Sequence, residues 1–407
     1  MTGENTISRA GNALLVLGEP EPHPTLGRVL EGFCGVIARS IEELAGLPGV
    51  NLYVCGDLSR LPEGLGRVRV VRELSTGREA WPDGVEAEVV GVGRVPLLVH
   101  GVGVFFPRFF EERDLFTRVQ DEHVFQELTE STKKSKALRT GIYLTDVARE
   151  VDGDGEEVLR YRLLRCSSNL TGPTDNFRAT DRMIMDGINA AAREVFDDET
   201  ALNHVLAQVY ANTKDDDERG RERKARISAH SDKTKDMRAD GLIAFCTFYD
   251  PEGFGALKPS ERDPFDRVHG KTSGLTTLHF KLKPTVAERG GLAEEFSVTL
   301  YPNSVFVIPL STNRLYTHAI RPSLLNVDRI PTRMGYVARS SKAEAVWAGD
   351  KAHLIEDGAR IPLTPMTRDE LSALRQSYYQ ENRTDDAVAY GDVRFSMNEG
   401  DYEKPIL

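Results

Sequence analysis

Hydrophobic residues in the first hundred positions form short continuous runs and one helical repeat. The runs at 12–18 (NALLVLG), 51–56 (NLYVCG) and 67–74 (RVRVVREL) are typical of buried strands. Thr25 stands where a helix cap is favoured, and apolar residues then recur at helical spacing: Leu26, Val29, Leu30, Phe33, Ile37, Ile41 and Leu44. These elements predict a small α/β domain of unassigned role over residues 1–100.

The pattern changes after about residue 100, and strands dominate beyond residue 200. Residues 176–196 have the spacing of one long helix. Eight apolar runs follow, separated by Gly, Pro, Asn and charged turns: LNHVLAQVYAN, ARISAHSD, GLIAFCTFYD, LTTLHFKLK, EFSVTLY, SVFVIPL, NRLYTHAI and RMGYVARS. Eight short strands in succession indicate a sandwich or barrel-like β domain over residues 101–345.

The last part of the chain, residues 346–407, predicts a helical extension with a tail. Thr367 and Glu370 form the sequence pattern of a capping box, which favours a helix continuing to about Arg383. The whole chain is therefore expected to be an α+β protein. Its β-rich central domain would carry flanking helices and would follow the small N-terminal α/β domain.

Charge and composition narrow the functional classes without selecting one. The 407 residues include 52 Lys and Arg against 63 Asp and Glu, a formal net charge of −11 that argues against a general polyanion binder. No signal peptide is readable at the start, and the longest apolar run is too short to span a bilayer. The cysteines are widely spaced and favour a reducing compartment: Cys34, Cys55, Cys166 and Cys246. We expect a cytoplasmic protein with no membrane partner; its oligomeric state is not predicted.

A candidate metal site begins at His230-Ser231-Asp232. Residues two apart on a strand project to the same face, so this imidazole and carboxylate could grip one cation. His318 lies 88 residues later on another predicted strand and could supply a third ligand. Two histidines and one carboxylate on one face form the triad that leaves positions open on Fe(II). Taken alone, His230 and Asp232 could also be a His–Asp pair on the surface, and His318 could be a histidine of the core.

Two arginines strengthen the functional interpretation. Arg333 and Arg339 are six residues apart in RMGYVAR, so a strand would direct both to one side. A sheet interior rarely buries two guanidiniums without an anion, and a dicarboxylate such as 2-oxoglutarate would supply one. Gln208 and Tyr210 also share parity and could face the same ligand. The alternatives are a solvated arginine face and ordinary hydrogen bonding within a β-core.

The order of these residues resembles the AlkB-like Fe(II)/2-oxoglutarate-dependent dioxygenases. The resemblance covers about residues 103–342, and GVFFPRFFEERDLF is similar to the opening segment of that domain. It implies a double-stranded β-helix, or jelly-roll, core. It also implies that His230, Asp232 and His318 hold the iron.

The resemblance assigns the remaining residues to the cosubstrate. Arg333, assisted by Tyr210, would pair with the distal carboxylate of 2-oxoglutarate, and Arg339 would lie near the carboxylate that chelates iron with the keto group. Two positions depart from the family pattern, because Gln208 and Gly335 each stand where an asparagine is common. The hydrogen bonding of the cosubstrate is therefore expected to differ.

The implied reaction consumes molecular oxygen and 2-oxoglutarate, releases succinate and CO2, and hydroxylates or oxidatively dealkylates a C–H bond. The substrate stays open between an alkylated nucleobase, which would need a basic rim, and a small molecule or peptide, which fits the acidic net charge. A non-catalytic β-fold interaction protein that keeps the motif as structure is a further alternative. The N-terminal domain could also be the reader of the substrate.

Overall fold

The computed structural model describes residues 6–8, 11–46, 49–77, 85–129, 136–165, 170–197, 200–214, 220–288 and 290–407. Cys166 lies outside these residues, whereas Cys34, Cys55 and Cys246 are buried and form no disulfide. The described strands, in chain order, are β1 (Asn12–Leu17), β2 (Val36–Ala38), β3 (Asn51–Asp57), β4 (Gly66–Thr76), β5 (Val85–Val90), β6 (Leu97–Val99), β7 (Gly103–Phe106), β8 (Gln126–Thr129), β9 (Lys136–Thr145), β10 (Ala148–Val151), β11 (Glu157–Leu163), β12 (Asp175–Asn176), β13 (His204–Tyr210), β14 (Thr213–Lys214), β15 (Glu222–Arg223), β16 (Ile227–His230), β17 (Leu242–Tyr249), β18 (Lys258–Pro259), β19 (Arg267–His269), β20 (Thr272–Ser273), β21 (Thr277–Leu282), β22 (Glu295–Thr299), β23 (Ser304–Pro309), β24 (Tyr316–Arg321), β25 (Arg333–Arg339), β26 (Ala343–Ala348), β27 (Lys351–Glu356) and β28 (Ala359–Pro362).

Helices are few, so the fold is mixed α/β and consists mostly of strands. The described α-helices are α1 (Leu26–Gly32), α2 (Leu115–Glu122), α3 (Ala179–Val195), α4 (Pro284–Ala287), α5 (Leu310–Leu315) and α6 (Arg368–Arg383). Within the described ranges, none of these helices has the length and apolar character that crossing a bilayer requires.

A nine-stranded sheet and a four-stranded sheet form the centre of the molecule. The large sheet contains β13-β25-β17-β23 as neighbours, and the small sheet has the order β16-β24-β21-β22. Aromatic rings fill the space between them: the centroid of Phe280 lies 6.4 Å from that of Phe245 and 5.7 Å from that of Phe306. All eight strands expected beyond residue 200 are present. Apolar runs predicted them, because strands such as β13, β17 and β23 are buried along their whole length.

The N-terminal sheet contains the expected strands but a shorter helix. Strands β2-β1-β3-β4-β5 pair in parallel. The helix predicted to reach Leu44 was wrong in extent, because α1 ends at Gly32 and β2 pairs with β1. Gly35, just before β2, lets the backbone pass close to Asn12 of β1. A Cβ at this position would lie 2.4 Å from the Asn12 carbonyl oxygen. Thr25 precedes α1 without a side-chain cap; its hydroxyl contacts His23 Nδ1 at 2.7 Å.

This N-terminal sheet packs directly on the rest of the protein. Arg69 of β4 forms two hydrogen bonds with the Glu194 carboxylate of α3, at 2.7 and 2.6 Å. Leu14 of β1 and Phe105 of β7 belong to one buried apolar cluster. The N-terminal sheet is therefore joined to α3 by a bidentate ion pair and to the large sheet by apolar packing.

The C-terminal part combines strands with the expected helix. Strands β26, β27 and β28 extend the pair β10-β11 into a five-stranded antiparallel sheet. Helix α6 begins at the predicted capping box, in which Thr367 and Glu370 bond reciprocally, and it ends at Arg383 as expected. The division into units 1–100, 101–345 and 346–407 stays a prediction.

Candidate functional site

Two histidines and one carboxylate converge on the four-stranded sheet. His230 is the last residue of β16 and lies directly opposite His318 of β24. Asp232 Oδ1 lies 3.6 Å from His230 Nε2 and 3.7 Å from His318 Nε2. One possible ligand atom from each residue lies within 4.8 Å of the other two. The fold thus brings together the three side chains that the sequence singled out, although they come from distant parts of the chain.

Asp232 reaches this cluster from a turn. The expectation that His230 and Asp232 share a strand was wrong, because β16 ends at His230. Asn313 of α5 holds the turn instead: its Oδ1 accepts from the Asp232 N–H at 2.8 Å, and its Nδ2 donates to the Asp232 carbonyl at 2.9 Å. This reciprocal amide pairing fixes the backbone from which the carboxylate projects.

The surroundings favour protonation states that bind a cation. Burial alone would raise the pKa of Asp232, but Arg339 and both histidines outweigh burial and hold this pKa well below its ordinary value. Burial, reinforced by His230, lowers the pKa of His318 to about 3, so this ring is neutral at neutral pH. His230 Nδ1 lies 3.0 Å from the Ser228 carbonyl oxygen. In the neutral ring Nδ1 therefore carries the proton, and Nε2 offers its lone pair.

Arg339 binds the carboxylate of the triad. Its Nε donates to Asp232 Oδ2 at 2.7 Å, and its Nη1 donates to the Val337 carbonyl at 3.2 Å. Arg339 is buried, so this ion pair is largely shielded from water. The second carboxylate oxygen is thereby occupied, and Oδ1 remains directed at the two imidazoles.

Arg333 is buried, and no described residue gives it an anionic partner. It lies in β25 between Tyr210 of β13 and Tyr249 of β17, and only 4% of its surface is exposed. Its guanidinium carbon lies 4.1 Å from the centre of the Tyr210 ring. Its Nε and Nη2 atoms are buried without hydrogen-bond partners, and no carboxylate in the described part of the chain forms an ion pair with it. Arg333 and Arg339 are both buried, so the alternative that they lie on a solvent-exposed face is excluded.

Gln208, Tyr210 and Gly335 shape the space around this guanidinium. The Tyr210 hydroxyl donates to Gln208 Oε1 at 2.9 Å, which is the ordinary β-core bonding considered as an alternative for this pair. Gly335 leaves room for Arg333, because a Cβ there would lie 3.0 Å from Arg333 Nη1 and 3.3 Å from Tyr210 Cε2. The asparagine common in the AlkB-like pattern would require the guanidinium to move.

Two buried hydroxyls beside this space were not predicted from the sequence. Thr247 lies opposite Gly335, and Ser304 lies opposite Thr247, in adjacent antiparallel strands. Directly opposed residues project to the same face of a sheet. Both hydroxyl oxygens are buried without hydrogen-bond partners. The only signal that could have found them is the strand register, which the sequence does not provide.

In a second cluster of possible metal ligands, both nitrogens of the histidine already contact carboxylates. It comprises Glu122, His123 and Asp181. His123 Nδ1 lies 2.8 Å from Asp175 Oδ2, and Nε2 lies 2.7 Å from Asp181 Oδ2. Both ring nitrogens therefore face carboxylates, and no lone pair remains for a cation when both donate. The cluster is a buried charged link between the end of α2 and the start of α3.

We expect this link to make stability depend on pH. Burial alone would lower the pKa of His123, but Asp175 and Asp181 raise it from 6.5 to about 9. A raised pKa in the folded state stabilises the fold fully below the ordinary value, and this contribution disappears as pH rises through about 9. The expected loss is roughly 3 kcal/mol between pH 6 and 10.

Urea unfolding of the wild type and of His123→Gln at these two pH values measures this loss. The difference in free energy of unfolding between the two proteins should shrink at high pH. A pH-independent difference would show that His123 is not protonated in the fold.

Comparisons with known proteins give little beyond this geometry. No protein-family model matches the chain, and no curated protein matches it. Among solved structures, that of OsALKBH1 is similar with a TM-score of 0.33 and 11% sequence identity, over 58% of this chain and 96% of that one. A structural similarity this low supports no conclusion about function. The functional proposal therefore depends on the geometry of the site alone.

Proposed function

We propose that the protein is an Fe(II)- and 2-oxoglutarate-dependent dioxygenase that hydroxylates or oxidatively dealkylates a C–H bond of an organic substrate, releasing succinate and CO2. The observation that carries the proposal is the buried guanidinium of Arg333, which pairs with no carboxylate of the described residues, on the sheet face that meets the histidine–carboxylate triad. A triad alone fits many metals. A triad with a buried anion receptor fits a metal and an acidic cosubstrate together.

The strand order supports the jelly-roll core. The eight core strands are numbered 1 to 8 in chain order: β13, β16, β17, β21, β22, β23, β24 and β25. The neighbour order is then 1-8-3-6 in the large sheet and 2-7-4-5 in the small sheet. This is the pairing of a double-stranded β-helix built from eight antiparallel strands. In this arrangement strands 2 and 7 carry His230 and His318.

The donor set fits a divalent iron. Two imidazoles and one carboxylate would leave coordination positions open for further ligands. The His230 side chain is 35% exposed, whereas those of Asp232 and His318 are 8% and 4% exposed. The site is therefore open to solvent on the His230 side, and we propose that the organic substrate would approach there.

The interior next to the triad fits a dicarboxylate. The unpaired Nε and Nη2 of Arg333 offer donors to a carboxylate, and the Thr247 hydroxyl opposite Gly335 offers another. Both groups project to the same face as Phe245, whose ring lies 5.3 Å from His318. When bound, iron and 2-oxoglutarate would activate molecular oxygen, which is the oxidant, while this chain holds and orients them.

Anaerobic addition of Fe(II) and 2-oxoglutarate tests the proposal. We expect one equivalent of each to bind and to produce a visible metal-to-ligand charge-transfer band that needs both. Admission of oxygen should then yield succinate slowly even without substrate. A folded protein that binds neither compound would be a non-catalytic β-fold protein.

The same preparation separates the two substrate classes. Alkylated single-stranded DNA should bind with an affinity that falls steeply with salt if nucleic acid is the substrate. A small molecule or peptide would instead accelerate succinate formation with little salt dependence. Unmodified DNA of the same sequence is the control for the alkyl group.

A further inference from the structure

The turn that carries Asp232 is held by side chains from elsewhere. Residues 231–234 leave β16 and form no strand ladder. Three of their backbone N–H groups donate instead to side-chain oxygens: Ser231 to Asn382, Asp232 to Asn313 and Thr234 to Glu381, at 2.7, 2.8 and 3.0 Å. Backbone groups buried without such acceptors are costly, so these side chains select the conformation of the turn.

Two of the three acceptors come from the last turn of α6. Glu381 is buried, and its Oε1 accepts from both the backbone N–H and the hydroxyl of Thr234. Asn382 accepts from Ser231 with Oδ1, while its Nδ2 donates to the Tyr378 carbonyl at 3.0 Å. The amide of Asn382 is thus fixed at both ends, and it directs its oxygen at the residue between His230 and Asp232.

Helix α6 is itself anchored beside the small sheet. Lys283, which is 1% exposed, donates to the carbonyls of Glu381 and Thr384 at 2.6 and 3.1 Å. These carbonyls at the helix C-terminus lack helical partners, and a cation there is favoured by the helix dipole. Leu374 and Tyr378 are buried. The end of α6 is therefore held in place by both packing and charge.

We infer that Asn382 and Glu381 are positioning residues for the metal site: by holding the 231–234 turn, α6 sets the distance between the Asp232 carboxylate and the two imidazoles. The inference rests on the proposed function and extends it to a helix outside the eight-stranded core. Partners of metal ligands typically contribute roughly 10–100-fold to metal affinity. The C-terminal segment would therefore be needed for tight metal binding, although it supplies no ligand.

Cobalt(II) alone is the probe, because its visible absorption reports ligand geometry without oxygen or 2-oxoglutarate. In the full-length chain we expect Asn382→Leu to weaken Co(II) binding by about 10-fold or more and to alter the absorption bands. Asn382→Asp keeps an acceptor oxygen for the Ser231 N–H but loses the Nδ2 donor to the Tyr378 carbonyl, so it should recover only part of the wild-type affinity. Gln380→Leu, an exposed change on the same turn, should behave as wild type.

The outcomes separate this inference from the proposed function. Wild-type binding with unchanged affinity and bands in Asn382→Leu would overturn the positioning role and leave the metal site intact. Absence of Co(II) binding in the folded wild type would overturn the proposed function itself. Circular dichroism and melting temperature check each fold; if Asn382→Leu does not fold, Asn382→Ala, which only deletes atoms, takes its place.

Discussion

Replacing His318 with alanine is expected to abolish stoichiometric Fe(II) binding and the charge-transfer band with 2-oxoglutarate. His318 is buried against Phe245 and Phe280, and its Nε2 is directed at the cluster containing Asp232. Loss of a direct ligand should cost far more than the roughly 10–100-fold that an outer partner contributes. Succinate formation should fall to the background of iron in solution. Anaerobic titration followed by visible spectroscopy measures both effects.

His279→Ala is the matched control. This histidine is also buried and lies on β21, next to β24, but its Nδ1 contacts Ser297 Oγ at 2.8 Å. Its removal should leave iron stoichiometry and the band unchanged while lowering stability to a similar extent. If both variants lose iron equally, unfolding and not ligation explains the loss. If His318→Ala retains the band, the triad is assigned wrongly.

The second large effect is expected from Arg333→Leu. Removing one partner of a buried charge pair costs about 2–5 kcal/mol, so the affinity for 2-oxoglutarate should fall roughly 30-fold to several-thousand-fold. Without ligand, the same change removes a buried charge for which the described part of the chain supplies no carboxylate, so the free energy of unfolding should stay equal or rise. A gain in stability with a loss of binding is the signature of a residue placed for a ligand.

Thermal unfolding with and without 2-oxoglutarate measures both quantities. At a hundred times the wild-type dissociation constant, the ligand should stabilise the wild type by about 2.7 kcal/mol and Arg333→Leu by at most about 0.9 kcal/mol. Arg333→Lys keeps the charge but loses the planar fork, so it should recover only part of the affinity. Co(II) binding without 2-oxoglutarate should be unchanged in both variants. An unaltered 2-oxoglutarate affinity in Arg333→Leu would overturn the anion site.

The central strands were predictable because they are short apolar runs bounded by turn residues, and β13, β17 and β23 are buried along their whole length. The runs containing His230, His318 and Arg333 were each recognisable alone, and their chemistry suggested a common site. The same reasoning failed for Asp232, because nothing local indicates that β16 ends one residue after Ala229. It also extended α1 to Leu44, since helical spacing continues through residues that instead form β2.

Contacts set by tertiary structure lay beyond the sequence. Thr247 and Ser304 face Gly335 only because of the register between three strands. Asn382 lies on a polar helix whose composition says nothing about a turn 151 residues earlier. Each of these contacts depends on how two segments that are remote in the sequence lie relative to each other. Sequence patterns show only how residues are arranged within one segment.

The docking of α6 has a consequence for how the protein matures in the cell. The metal-bearing turn emerges from the ribosome long before Asn382, the residue that completes its support, is synthesised. On the proposed function, tight iron capture would therefore await the synthesis of α6. Chains terminated before α6 would contain all three ligands yet stay poor in metal, and they would not compete for scarce iron with chains that contain α6.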